Sequence, residues 1–205
     1  MKRLTSGILI AALFWFFMFS PWTKHLVNFW VMMIFATGFL TLFSLLFGYE
    51  DLKKLYKFEP RWLIIGIIGA ISLYIIFYAG NYFSKLLFNF TQSQVGNIYS
   101  IKEQGSKIFI GFALLLWIGP AEEIFWRGYV QHNISKTTGD VKAFIITTLI
   151  YALVHIWSFN FMLVMAALIC GIFWGWLFMK YKNVIPCIIS HALWDVAIFI
   201  IFPIT

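Results

Sequence analysis

Seven apolar runs divide this chain, several of them close to or longer than the roughly 20 residues that carry a helix across a bilayer. They lie near 5–20, 26–48, 62–82, 108–131, 142–158, 161–179 and 184–203. In lipid every backbone polar group must be bonded within the protein, so only helices and closed barrels span. The alternating segments of about 10 residues that a barrel requires are not found in the sequence. The expected fold is therefore an all-α, polytopic transmembrane helix bundle of seven to eight spans. The eighth stays open because the fifth run is short and a tight turn near Ser158–Asn160 joins it to the sixth. With no internal repeat and no low-complexity tract, one membrane domain, 1–205, is the expected organisation.

Composition agrees with lipid as the solvent. Hydrophobic residues make up 62% of the chain and charged residues 11%, against about 25% charged in a soluble domain. The formal net charge of +7 comes from lysines between apolar runs, which read as topology signals. No basic nucleic-acid motif accompanies them, so nucleic acid is not an expected partner. The N-terminal Lys2 and Arg3 before the run Ile8–Phe19 resemble a signal peptide, but no small-x-small cleavage site follows. An uncleaved first span is expected. With the N-terminus cytoplasmic, ten Lys and Arg fall on the inside (Lys2, Arg3, Lys53, Lys54, Lys57, Arg61, Lys136, Lys142, Lys180, Lys182) and four outside (Lys24, Lys85, Lys102, Lys107). The positive-inside rule favours that orientation. Segment 83–107 is then external, and its polar stretch Thr91–Lys107 is a loop or an interfacial helix. Cys170 and Cys187 have neither metal spacing nor a disulfide framework and read as small buried hydrophobes.

Six ionisable residues lie well inside the spans: Glu122, Glu123, Arg127, His155, His191 and Asp195. A charged group at mid-membrane costs about 2.5–3.5 kcal/mol on insertion scales, so intramembrane charge reads first as a functional site. At 1.5 Å per residue, Glu122 falls about 14 Å from the cytoplasmic end of its run and His155 about 20 Å from the start of its own. His191 and Asp195 fall about 11 and 17 Å from theirs. Three spans thus bring polar groups to similar depth, expected on the cytoplasmic half.

Spacing divides the roles. Glu123 and Arg127 are four apart in the favourable ion-pair order and read as a structural pair. Glu122 points about 100° away and is left to face a cavity, where it is a candidate general base or acid. Gly119-Pro120 just before it is expected to kink the helix and admit water. His191 and Asp195 are four apart on one face. Either the aspartate orients the imidazole, or both donate to an oxyanion, which needs a protonated aspartate. His155 faces the same depth and is placed to share a water with Glu122. Ser190 diverges from His191 and makes a poor nucleophile–base dyad. His25 and His132 sit at span ends as ordinary interface residues. Spacing alone leaves an enzyme, a proton-coupled transporter and a structural membrane protein open.

The motifs narrow this. Glu122-Glu123-Ile124-Phe125-Trp126-Arg127 has the form EExxxR, Tyr151-Ala152-Leu153-Val154-His155 the form of FxxxH with Tyr for Phe, and His191-Ala192-Leu193-Trp194-Asp195 the form HxxxN/D. Together, within about 115–200, they resemble the CAAX protease and bacteriocin-processing family, also called the Abi family, of intramembrane proteases. The resemblance implies hydrolysis of a peptide bond by a water activated within the membrane. It implies Glu122 and His155 as the groups that activate the water and His191 and Asp195 as the oxyanion stabilisers. Glu123 and Arg127 would support the first motif. Asp195 stands where eukaryotic CAAX endopeptidases carry Asn. No cofactor is expected. A metal-dependent version would use Glu122, His155 and His191 as ligands, although HExxH is missing from the sequence. The partners implied are the lipid bilayer and a peptide or membrane-protein substrate. A chain rich in Phe, Ile and Lys and poor in Arg suits an AT-rich bacterial genome, so the bacterial cell membrane is the expected location. There, the expected activity is hydrolysis of a peptide bond in a membrane-associated or peptide-precursor substrate, a bacteriocin precursor among them, with a non-proteolytic scaffold or self-immunity protein as the alternative.

Overall fold

Helix boundaries fall where local chemistry ends or starts the hydrogen-bond ladder. The computed structural model describes residues 2–204. The expected domain 1–205 also takes in Met1 and Thr205, which lie outside the described residues. Helix α1 runs Lys2–Phe19. Asn28 caps α2, Phe29–Leu55, by accepting from the Val31 N–H at 3.1 Å. Pro60 opens α3, Pro60–Leu87, at a position whose N–H would be unpaired anyway. A short helix α4, Thr91–Tyr99, follows in the polar stretch, which settles the choice between loop and helix there. Ser106 caps α5, Lys107–Thr138, from the Phe109 N–H at 3.2 Å. Gly139, at φ 81°, then turns the chain directly into α6, Asp140–Leu153. Asn160 caps α7, Phe161–Tyr181, and Pro186 sits in the first turn of α8, Ile185–Ile201.

Among the described residues the chain is helical without strands, and six helices are long and apolar enough to cross a membrane. The shorter apolar helix α8 is the seventh element of that kind. Leu9, Leu13, Val31, Phe35, Ile64, Ile68 and Ile75 point outward, as expected where lipid is the neighbour.

Lipid tails are as apolar as leucine, so close packing rather than the hydrophobic effect joins spans, and small residues permit it. Gly171 and Gly175 on α7 form such a seam with α6. An added Cβ would meet Thr148 Cγ2 at 3.2 Å and Phe144 Cδ2 at 3.0 Å, and the Gly171 carbonyl accepts from the Thr148 hydroxyl at 3.1 Å. Helix α5 is the central element, with every residue from Phe125 to Gln131 buried. It does not break at Pro120. Wide π-helical turns at Leu114–Ile118 and Ile124–Gln131 flank the α-helical stretch Gly119–Glu123. Such turns absorb the missing hydrogen bond and recur at functional sites.

The two ends of the bundle differ. One carries the N-terminus and the ion pairs Lys136–Asp51, Lys182–Asp140 and Arg61–Glu59. The other carries α4 and the turn 156–160. Helix α4 is pinned there on both sides. Gln94 accepts from Asn160 Nδ2 at 2.8 Å and, through its side chain, from the Met162 N–H at 3.0 Å. Tyr99 donates to the Ile198 carbonyl at 3.0 Å and accepts from the Ile204 N–H at 3.0 Å. Lys102 donates to the Phe199 carbonyl at 3.2 Å. Desolvation in that position, with Lys107 nearby, holds its ammonium below the usual lysine range.

Candidate active site

All six intramembrane ionisable residues are buried, none more than 7% exposed, and two helices and one turn carry them. Helix α5 supplies Glu122, Glu123 and Arg127; α8 supplies His191 and Asp195. His155 follows the last turn of α6, next to α1. The approach of α5 to α8 depends on Gly119. A Cβ there would lie 3.0 Å from Ala192 Cα and 3.1 Å from its N, both backbone atoms that cannot give way. Ala192 is the neighbour of His191, so this contact sets the distance between the first and third motifs.

Glu123 is the hub of that junction. Its Oε1 accepts from Arg127 Nη1 at 3.2 Å and from His191 Nδ1 at 2.7 Å. The expected intrahelical pair is present, but it also reaches across to α8. Arg127 donates further to the Cys170 carbonyl at 3.4 Å and lies over the Tyr151 ring at 4.9 Å. His191 stacks on Trp174 with centroids 3.7 Å apart, and Trp174 donates to Ser190 Oγ at 3.1 Å. Ser190 is thereby turned to α7 rather than to His191. The imidazole is oriented by Glu123 from α5, not by its own-helix neighbour Asp195, whose Oδ2 stands 3.5 Å from Nε2. Intrahelical spacing reveals the second contact and not the first.

Glu122 stands apart from this hub. Its Oε2 accepts from the Tyr151 hydroxyl at 3.1 Å. The substitution of Tyr for the usual Phe of the second motif therefore places a donor on the candidate base. Tyr151 also accepts, through its carbonyl, from His155 Nδ1 at 2.8 Å. His155 Nε2 accepts from Trp15 Nε1 at 3.0 Å. Neither Trp15 nor the Tyr151 phenol carried a motif signal. A tryptophan in an apolar span looks the same in sequence whether it meets lipid or an imidazole.

A cavity of about 410 Å³ joins these groups. Glu122, His155, His191 and Asp195 line it together with Tyr151 and Trp174. The rest of its wall is mainly apolar, including Phe77, Met33, Met165 and Ile169, and its far portion reaches Ser84, Val95 and Tyr99 beneath α4. Gly80 and Asn81 of α3 and Met165 and Ala166 of α7 also line it. The cavity thus extends from these groups toward the end that carries α4. Two helix boundaries differ from the ends of the apolar runs. Helix α5 continues seven residues past Gln131 to Thr138, because the polar residues 132–138 form its last turns instead of a loop. His155 lies beyond the helical part of its run, level with Trp15 and Phe19 near the far end of α1.

His25 is exposed, and His132 lies 3.8 Å from Asp51, so neither enters the site. Both cysteines are buried and free, and the Cys170 carbonyl accepts from Arg127. Among the described residues no three His, Cys, Asp or Glu side chains converge as a metal-holding group. The donor orientations also do not fit the set Glu122, His155 and His191. Both nitrogens of His155 are engaged by Trp15 and Tyr151, and those of His191 face Glu123 and Asp195.

Residues 104–197 match the family model described as type II CAAX prenyl endopeptidase Rce1-like. That match bears out the resemblance drawn from the three motifs, all of which fall inside it. No curated protein and no solved structure gave a match.

Proposed function

With the family match over residues 104–197 as premise, we propose that this chain is an intramembrane endopeptidase of the glutamate type. The observation that carries the reading is the common exposure of Glu122, His155, His191 and Asp195 to one largely apolar cavity inside the bundle. Glu122 takes a proton from a water, and the oxygen adds to the scissile carbonyl carbon. The developing oxyanion accepts from His191 Nε2–H and from a protonated Asp195. Glu123 balances the imidazolium that this requires. The proton held by Glu122 then passes to the leaving amine, giving a carboxylic acid and a free amine. His155 is the second group that the motifs place beside the water. No metal takes part. The substrate is a peptide or membrane-protein segment, with a bacterial peptide or bacteriocin precursor as the expected class.

The test is cleavage by purified protein of a library of lipidated and unlipidated peptides, read by mass spectrometry with and without a strong chelator. Cleavage that survives the chelator is expected. Loss of cleavage with chelator would overturn the metal-free mechanism. Absence of cleavage by folded protein would favour the scaffold or immunity reading.

The roof formed by α4 leaves the gap between α3 and α7 as the route for a bilayer-borne segment. A Cβ on Gly80 would meet nothing within 4 Å. Gly80→Trp fills this space and is expected to lower cleavage of bilayer-embedded substrates at least tenfold while the thermal unfolding midpoint stays within about 2–4 °C of wild type, the equivalent of about 1 kcal/mol. An unchanged cleavage rate would place the route elsewhere.

The lysine distribution puts the N-terminal end in the cytoplasm, so the α4 end, and with it the cavity, faces outward. A cysteine at exposed Asn97 is then expected to react in intact cells with a membrane-impermeant maleimide, and one at exposed Lys54 only after lysis. The reverse pattern would invert the topology and return the cavity to the cytoplasmic side.

A further inference from the structure

We infer that Trp15, on the first span and outside the matched segment 104–197, is a positioning residue of this site that fixes His155 as the Nδ1–H tautomer with its acceptor nitrogen filled. The chemistry leaves one assignment. An indole N–H can only donate. Its 3.0 Å bond to His155 Nε2 therefore requires that nitrogen to carry a lone pair and no proton. The remaining ring proton is on Nδ1, which donates to the Tyr151 carbonyl at 2.8 Å. Trp15 is fully buried and packs edge-on against Trp126 and against the imidazole. The indole is thus held from two sides, and the ring it contacts cannot flip without losing both hydrogen bonds.

This bears on the proton path and rests on the endopeptidase reading for its catalytic meaning. With Nδ1 donating and Nε2 accepting, His155 has no site left for the proton of a water. Glu122 opens on the same cavity and is bonded at Oε2 by Tyr151. It is the proton acceptor by itself, and the histidine of the second motif shapes the wall beside it. The chain Trp15, His155, Tyr151, Glu122 then links the first span to the base through three hydrogen bonds.

The experiment needs no substrate. Protein labelled with 15N at its four histidines is studied in detergent micelles, with His155 assigned by comparison with His155→Gln. The expected wild-type spectrum shows His155 neutral, protonated at Nδ1 and hydrogen-bonded at an unprotonated Nε2. A proton on Nε2, or a mixture of tautomers, would overturn the inference, and this arm stands even if a variant fails to fold. In Trp15→Phe, which keeps an aromatic ring and removes the N–H, the Nε2 resonance is expected to move. Carbethoxylation of His155 by diethyl pyrocarbonate is expected to rise about fivefold, the factor that one ordinary net hydrogen bond represents. An unchanged resonance and labelling rate would overturn it. Absence of peptide cleavage by wild type would count against the endopeptidase reading and leave these two readouts untouched.

Discussion

Glu123→Ala is expected to cost about 3–5 kcal/mol of stability, the range for breaking a buried ion pair by removing one partner. The carboxylate is fully buried and serves two cations or donors at once, Arg127 at 3.2 Å and His191 at 2.7 Å. Its loss leaves the Arg127 guanidinium, 1% exposed, with the Cys170 carbonyl as its remaining oxygen acceptor. It also frees the imidazole of the third motif to turn away from the cavity. For a chain of this length the midpoint of thermal unfolding should fall by about 6–20 °C, measured in detergent by circular dichroism. A shift of less than about 2 °C would show that the Glu123 hub carries no such weight.

Glu122→Gln is expected to behave in the opposite way, with the fold retained and the activity lost. The amide is the same size, and its oxygen can still accept from the Tyr151 hydroxyl. What it cannot do is take a proton from water. General acid–base groups contribute about 10²–10⁴ in rate, so cleavage should fall by that factor while the unfolding midpoint stays close to wild type. The two adjacent glutamates therefore separate cleanly: one change is read on a melting curve and the other on a cleavage rate. That separation follows from the helix turning about 100° between neighbours, which sends Glu123 to α8 and Glu122 to the cavity.

Much of this was legible in the sequence because cost marks function in a membrane. Six ionisable groups in apolar runs pointed to side chains that the fold buries together, and the four-residue spacings pointed to the pairs Glu123–Arg127 and His191–Asp195. The length of the runs gave the spans. What stayed hidden depends on how helices meet. The Glu123–His191 bond crosses from α5 to α8 and exists because Gly119 lets two backbones approach to about 3 Å of a would-be Cβ. No spacing along one helix encodes that contact. Tyr151 takes the Phe place of its motif, and nothing in the sequence marks that its hydroxyl meets Glu122. Trp15 belongs to no motif and is one aromatic among several in its span. Helix ends stayed hidden too, because α5 runs on through polar residues to Thr138 instead of stopping where apolarity does. Length and apolarity report where lipid ends and not where hydrogen bonding does.

The most direct measurement is a side-by-side cleavage assay of wild type and Glu122→Gln against the same peptides, with matched unfolding curves for both preparations. The expected result is peptide hydrolysis by wild type, loss of it by at least 10² in the variant, and coincident melting. Equal cleavage by the two proteins at matched fold would contradict the assignment of Glu122 as the base and, with it, the glutamate mechanism.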